Sequence, residues 1–220
     1  SNIRIVSYSM PFMIGNYDYH CSFIILMKYL NITYQELPFY PLLKNIDFTN
    51  NSSIQQQIIQ DIKSSKKLTY IFNWKGNIQN PHELHNRSMK LNNAIPLFNI
   101  SNIDWIVITK NITTDEKQIL DQHNVKYYGD VLDNKNNSFE DSIEIIKNVD
   151  GLVSTDTSLV HLSTNLDIKT YVLLTSGCEW RWTSDDKYTN WYPDAMLLRQ
   201  QTHGDWSNVI NELSSILSNL

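Results

Sequence analysis

The stretch Gly151–Leu162, GLVSTDTSLVHL, decides how this chain is read. Gly151 to Ser154 has the apolar, β-branched character of a buried strand, and a short helical pattern follows from near Thr157. Between the two stand Ser154, Thr155, Asp156, Thr157 and Ser158, and His161 follows one helical turn on: four hydroxyls, one carboxylate and one imidazole at a single strand-to-helix turn. Two readings stand. Ser, Thr and Asp are common helix caps, with His161 packed in the core. Alternatively, the turn holds a ligand, because strand ends that feed helix N-termini are where open α/β sheets bind.

Working outward, short apolar runs alternate with helical patterns. Leu68–Phe72, Asp104–Thr109, Val125–Asp130 and Thr170–Thr175 read as further strands. Thr113 with Glu116 forms a capping-box pattern for the helix TDEKQILDQH, and Ser138 with Asp141 forms a weaker one, with Phe139, Ile143, Ile146 and Val149 on one face. Strand and helix alternating at this spacing imply parallel strands joined by crossover helices, a doubly wound α/β sheet. Asp205 is the expected N-cap of a last helix, whose stripe is Val209, Ile210, Leu213, Ile216, Leu217 and Leu220. Residues 1–65 differ: one strand-like and one helical segment precede a polar stretch with Ile54, Ile58, Ile59 and Ile62 at helical spacing. The expected organisation is a partial first domain and connecting helix (1–65), a Rossmann-like domain (66–204) and a docked C-terminal helix (205–220).

Composition narrows the function. With 220 residues, 41% hydrophobic and 19% charged, the chain is built to fold, and its net charge of −5 argues against nucleic acid as a partner. Cys21 and Cys178 have no metal spacing, no run is long enough to span a bilayer, and no signal-peptide pattern opens the chain, so a cytoplasmic protein is expected.

At the turn itself, the first N–H groups of the helix have no intrahelical acceptor, and the helix dipole adds to the attraction for an anion such as a diphosphate. Thr157 and Ser158 can add hydroxyl donors, His161 can donate or hold the turn, and Asp156 can orient the turn or accept from a sugar or ribose hydroxyl. A second strand end carries similar chemistry: Asn73, Lys75, Gly76 and Asn77 close the strand at Leu68–Phe72, and Arg87 precedes the next helix. Trp180, Trp182, Tyr188, Trp191, Tyr192 and Trp206 crowd the end of the chain, either as stacking surfaces for sugars and bases or as a small aromatic core pinning the last helix.

These motifs come in a recognisable order. The run VDGLVSTDTSLVHLSTNLDIKTYVLLT, followed by EWRW, NWYPDAMLLRQ and GDW, resembles the carboxyl-terminal part of heptosyltransferase-like glycosyltransferases, meaning family 9 and related proteins that carry tetratricopeptide repeats. FNWKGN, NRSMKL and NSFEDSIEIIKNVD extend the resemblance upstream, as do YDYHCSFIILMKYL and ELPFY. It implies a GT-B fold, with this chain supplying the second, donor-binding domain and the tail of the first. It also implies a nucleoside-diphosphate sugar as donor substrate, no cofactor and no metal, so that the His82/His85 pair is incidental. By resemblance, Asp156, Thr157, Ser158 and His161 lie on the donor-diphosphate motif, with Ser158 where many members have Gly or Ala. Asn73, Lys75 and Arg87 line the same cleft, and Thr109, Lys110 and Asn137 border the nucleoside, while Asn77 and Trp180 complete the expected substrate-binding set.

Nothing before Tyr17 matches the family's front, which carries the general base. The expectation is therefore a piece of a longer polypeptide whose acceptor is a carbohydrate or protein hydroxyl, with Asp18 and His20 the only early base candidates. A non-catalytic nucleotide-sugar-binding or scaffold module is the alternative. A flavodoxin-like or receiver-type domain would need clustered acidic residues where this chain has Asn73 and Lys75.

Overall fold

Along β1 (Leu68–Asn73) the side chains alternate, with Tyr70 and Phe72 in one hydrophobic cluster and Ile71 in the other, all buried. A strand buried on both faces belongs inside a sheet covered by helices on both sides. The computed structural model describes residues 19, 21, 25–33, 36, 39–46, 52–77, 87–134, 139–183 and 187–220. By contact the chain divides into Ser1–Leu37 and Pro38–Leu220. In the first unit, one short helix, α1 (Leu26–Tyr29), has no buried residue.

The second unit holds a six-stranded, all-parallel sheet. Its strands are β1, β2 (Ile103–Val107), β3 (Lys126–Tyr127), β4 (Gly151–Thr155), β5 (Thr170–Leu174) and β6 (Ala195–Arg199), in the order β3-β2-β1-β4-β5-β6. This is the Rossmann order, in which the chain reverses direction across the sheet between β1 and β4. The strand β6 has no counterpart among the sequence-predicted strands. Ala, Met, Leu and Arg favour helix intrinsically, and β6 exists because residues Ala195 to Arg199 register along β5 from Thr170 to Leu174.

The helices sort onto two faces. Tyr70, Phe72, Trp105, Val153, Tyr171 and Leu173 pack against α3 (Ile95–Phe98), α4 (Thr114–Gln122) and α7 (Ser207–Ser218). On the other face, Ile71, Ile106 and Leu152 pack against α2 (Ser53–Ser64), α5 (Glu140–Ile146) and α6 (Ser158–Asn165). Thus α2, read from sequence as a connecting helix, lies in the helix layer through Ile58 and Ile62, while Ile54 stays exposed. The stripe on α7 buries Val209, Ile210, Leu213 and Leu217 and leaves Leu220 half exposed. No helix among the described residues is long and apolar enough to cross a membrane.

The caps agree with the sequence in part. Thr113 and Glu116 form the expected box, and Ser52 with Gln55 forms another that the polar sequence around it concealed. Asp205 does not occupy the N-cap of α7, which is Trp206, yet its carboxylate accepts the Ser207 N–H at 2.9 Å. For α5 the N-cap is Phe139, and Ser138 lies outside the described residues. The free N–H groups of that helix are taken from a distance: Asp133 Oδ1 accepts from Asp141 N at 2.9 Å, and Asp141 returns a bond to Asp133 N at 2.8 Å. At Gly129 the chain passes so close to the end of β2 that a Cβ would stand 2.1 Å from the Thr109 carbonyl oxygen.

Candidate functional site at the sheet reversal

The reversal between β1 and β4 brings four side chains into one buried network. Asn73, the last residue of β1, pairs in register with Ser154 of β4. Its Nδ2 donates to Ser154 Oγ at 3.0 Å and to Thr157 Oγ1 at 3.1 Å, and its Oδ1 accepts from Thr109 Oγ1 at 2.6 Å. Ser154 and Thr157 also bond to each other at 2.9 Å. One amide therefore ties together the carboxyl ends of β1, β2 and β4 and the start of α6. Satisfying all four groups internally is what allows them to lie buried.

The network changes the role expected of Thr157. It is the N-cap residue of α6, but its side chain makes no capping bond, because Oγ1 turns into the sheet toward Asn73. The helix start consequently receives no hydroxyl from its own N-cap, and the Val160 N–H bonds to the Thr157 carbonyl at 3.1 Å. Ser158 is exposed on the first turn and Asp156 is half-buried, forming no hydrogen bond among the described residues. His161, on the same helix, stacks on Trp182 with ring centroids 5.7 Å apart, and its Nδ1 lies 2.8 Å from the Tyr192 hydroxyl. Burial pushes the His161 pKa below its ordinary value; Asp156 pulls it back up, and Arg181 adds to the lowering.

Lys75, beyond the end of β1, is held. Its Nζ is 2.7 Å from Glu116 Oε2 and 3.2 Å from the Asn111 carbonyl, while Trp74 Nε1 donates to the other Glu116 oxygen at 2.9 Å. Burial raises the Glu116 pKa, but the bonds from Lys75, the Thr113 N–H and Trp74 outweigh it and leave it lowered. Glu116 was legible only as a capping residue; nothing in its spacing signals the reach to Lys75. Met89 N donates to the Trp74 carbonyl at 2.9 Å and Gly76 N to Ser88 Oγ at 3.2 Å. The two described flanks of this loop therefore meet at the end of β1, bringing Asn77, exposed, and Arg87, half-buried, to the same edge.

Other expected residues stand apart. Lys110 is exposed and reaches away to the Asp133 carbonyl at 2.9 Å and Asn134 Oδ1 at 3.1 Å. Trp180, 58% exposed, stands edge-on to Trp191 at 5.5 Å with Arg181 over its ring. The aromatic residues divide by role: Trp182 and Tyr192 belong to a buried cluster beside β5 and β6, and Trp206 packs with α7. Asp18, His20, His82, His85 and Asn137 lie outside the described residues. Among the described residues no group of three or more His, Cys, Asp or Glu side chains is placed to hold a metal ion. A cavity of about 380 Å³ is lined by Pro96, Asn99, Asn102, Asn211 and Ser214, at the edge where the strands begin. The opposite, carboxyl edge is where open α/β sheets bind ligands, and the network lies there.

Strand order and layering define a doubly wound, Rossmann-like domain with a polar site at its reversal point. Neither a protein-family model nor a curated protein matches the sequence. Solved structures do. ADP-heptose LPS heptosyltransferase II of E. coli aligns with 84% of this chain and 56% of its own, at 15% identity and a TM-score of 0.49. The E. coli heptosyltransferase WaaC with ADP-2-deoxy-2-fluoro heptose aligns over 79% and 50%, at 16% identity and a TM-score of 0.42. A family 9 glycosyl transferase from Veillonella parvula DSM 2008 aligns over 71% and 43%, at 8% identity and a TM-score of 0.47. The chain spans about half the length of the structures it matches.

Proposed function

We propose that the chain is the donor-binding part of a GT-B glycosyltransferase, which in the complete protein transfers a sugar from a nucleoside diphosphate to a hydroxyl of a carbohydrate or protein acceptor. The observation that carries this reading is the Asn73 network. It fixes three strand ends at the reversal point and takes up the Thr157 hydroxyl, which leaves the first turn of α6 without a cap from its own N-cap side chain. The order of sequence motifs around that turn supports the same reading.

The chemistry follows from charge. As the sugar departs, negative charge grows on the diphosphate, and preorganised N–H groups at a helix start stabilise it without reorganising. Ser158 adds a hydroxyl donor, and Arg87 adds a guanidinium suited to two phosphate oxygens. Asp156 accepts from a hydroxyl of the sugar or ribose. The donor enters as a substrate, and the reading calls for no separate cofactor.

Calorimetry of this chain with ADP, UDP, GDP and CDP tests it. Binding of one of them, weakened about five- to a hundredfold in Ser158→Ala with the melting temperature unchanged, is the expected outcome. No binding to any of the four rejects the reading. If binding holds but the complete protein releases no nucleoside diphosphate from a panel of donors, the module binds without transferring.

A further inference from the structure

The pairing of His161 with Tyr192 is not used by the diphosphate reading itself. Tyr192 is 9% exposed, and a buried phenol needs a partner for its O–H. His161 Nδ1 is one such partner at 2.8 Å. Thr164 is a second side-chain hydrogen-bond partner of Tyr192, and its hydroxyl also lies 2.9 Å from the Val160 carbonyl. Phe39 meets the Tyr192 ring edge-on at 5.5 Å, and Trp182 lies flat against the imidazole at an interplanar angle of 17°. Both rings are therefore held on more than one side.

The other imidazole nitrogen is different. His161 is half-buried, and its Nε2 has no hydrogen-bond partner among the described residues. Side chains on a helix lean toward its N-terminus, which for His161 is the turn carrying Asp156, Thr157 and Ser158. We propose that Tyr192 is a positioning residue for His161: its hydroxyl donates to Nδ1, holds the ring as the Nε2–H tautomer, and so presents that N–H to a phosphate oxygen on the first turn of α6. Which nitrogen of a histidine carries the proton is set by the bond the other one makes. Burial favours the neutral ring, so His161 acts as an uncharged donor. The charged groups facing it are Asp156, from its own turn, and Arg181, from the short helix Trp180–Trp182, and they act in opposite directions on its protonation.

The inference rests on the nucleotide reading for the identity of the ligand, and its test separates the two. In protein carrying ¹⁵N-labelled histidine, the nitrogen shifts of His161 report the tautomer without any ligand. The expected result is a neutral ring protonated at Nε2, which in Tyr192→Phe relaxes to a mixture of tautomers. Affinity for the nucleoside diphosphate that binds best should fall about three- to tenfold in the same variant, the loss of one oriented hydrogen bond. An Nδ1–H tautomer in the unmodified protein overturns the proposal, and that measurement needs no variant to fold. Unchanged tautomer populations or unchanged affinity in Tyr192→Phe overturn it as well. Absence of nucleotide binding by the unmodified protein rejects the diphosphate reading, and with it the phosphate as the target of Nε2.

Discussion

Replacing Asn73 with alanine should destabilise the protein by about 2–4 kcal/mol, a magnitude that follows from its partners one by one. An internal hydrogen bond contributes about 1 kcal/mol net, and a buried group left unpaired costs about 1–3 kcal/mol. The side chain makes three such bonds. After truncation, Ser154 and Thr157 keep each other at 2.9 Å, while Thr109, 7% exposed, loses its side-chain partner outright. In a domain of this size each kcal/mol lowers the melting temperature by about 2–4 °C, so a drop of about 4–16 °C is expected. Urea unfolding followed by the fluorescence of buried Trp74 and Trp105 measures the loss. A cycle with Thr157→Val isolates the network, since residues sharing hydrogen bonds couple by about 0.5–3 kcal/mol. A loss below about 0.5 kcal/mol, or two substitutions that simply add, would refute the reasoning.

Other perturbations probe the surroundings. Glu116→Gln should cost about 1–3 kcal/mol at neutral pH by stripping Lys75 of its ion pair. Because the folded Glu116 pKa is lowered, its contribution is present above the unfolded value, about 4.3, and fades as pH falls through the folded one; a gap between variant and parent that persists in acid contradicts this. Gly129→Ala forces a methyl group onto the Thr109 carbonyl and should cost about 3 kcal/mol or more, whereas Gly177→Ala, whose Cβ meets nothing within 4 Å, should be close to neutral. Comparable melting temperatures for the two would show that the loop at Gly129 shifts freely. For His161 the folded pKa is depressed, so the unfolded chain takes up the proton first, and stability is lost as pH falls below about 6.5. His161→Gln should lose less stability than the parent over that acid range, and equal losses in chemical denaturation would argue against a buried neutral imidazole.

Much of the layered fold was legible because its signals are local. The box at Thr113 and Glu116, the apolar strands and the α7 stripe depend on residues within a few positions of one another. Local signals also misled. The strand β6 is composed of helix-favouring residues and takes its conformation from pairing with β5. Asp133 caps α5 from outside that helix, so the Ser138 pattern did not reveal where the N–H groups go. Within the site, the turn from Ser154 to Ser158 was visible as an unusual cluster of polar groups, but its members separate by role: Ser154 and Thr157 face the sheet, and Ser158 faces solvent.

The sequence by itself determined the alternation of strands and helices, the two-faced burial of the central strands, and the place where hydroxyls gather before α6, because periodicity and capping are written over short spans of chain. The tertiary structure alone decided what those groups do. The strand order sets Asn73 beside Ser154 and Thr157, 81 and 84 residues away, turns Lys75 from a free cation into the partner of Glu116, 41 residues away, and places Tyr192 against His161 across 31 residues. Such bonds depend on strand register and helix docking to within a few tenths of an ångström, which only the packing of the whole sheet fixes.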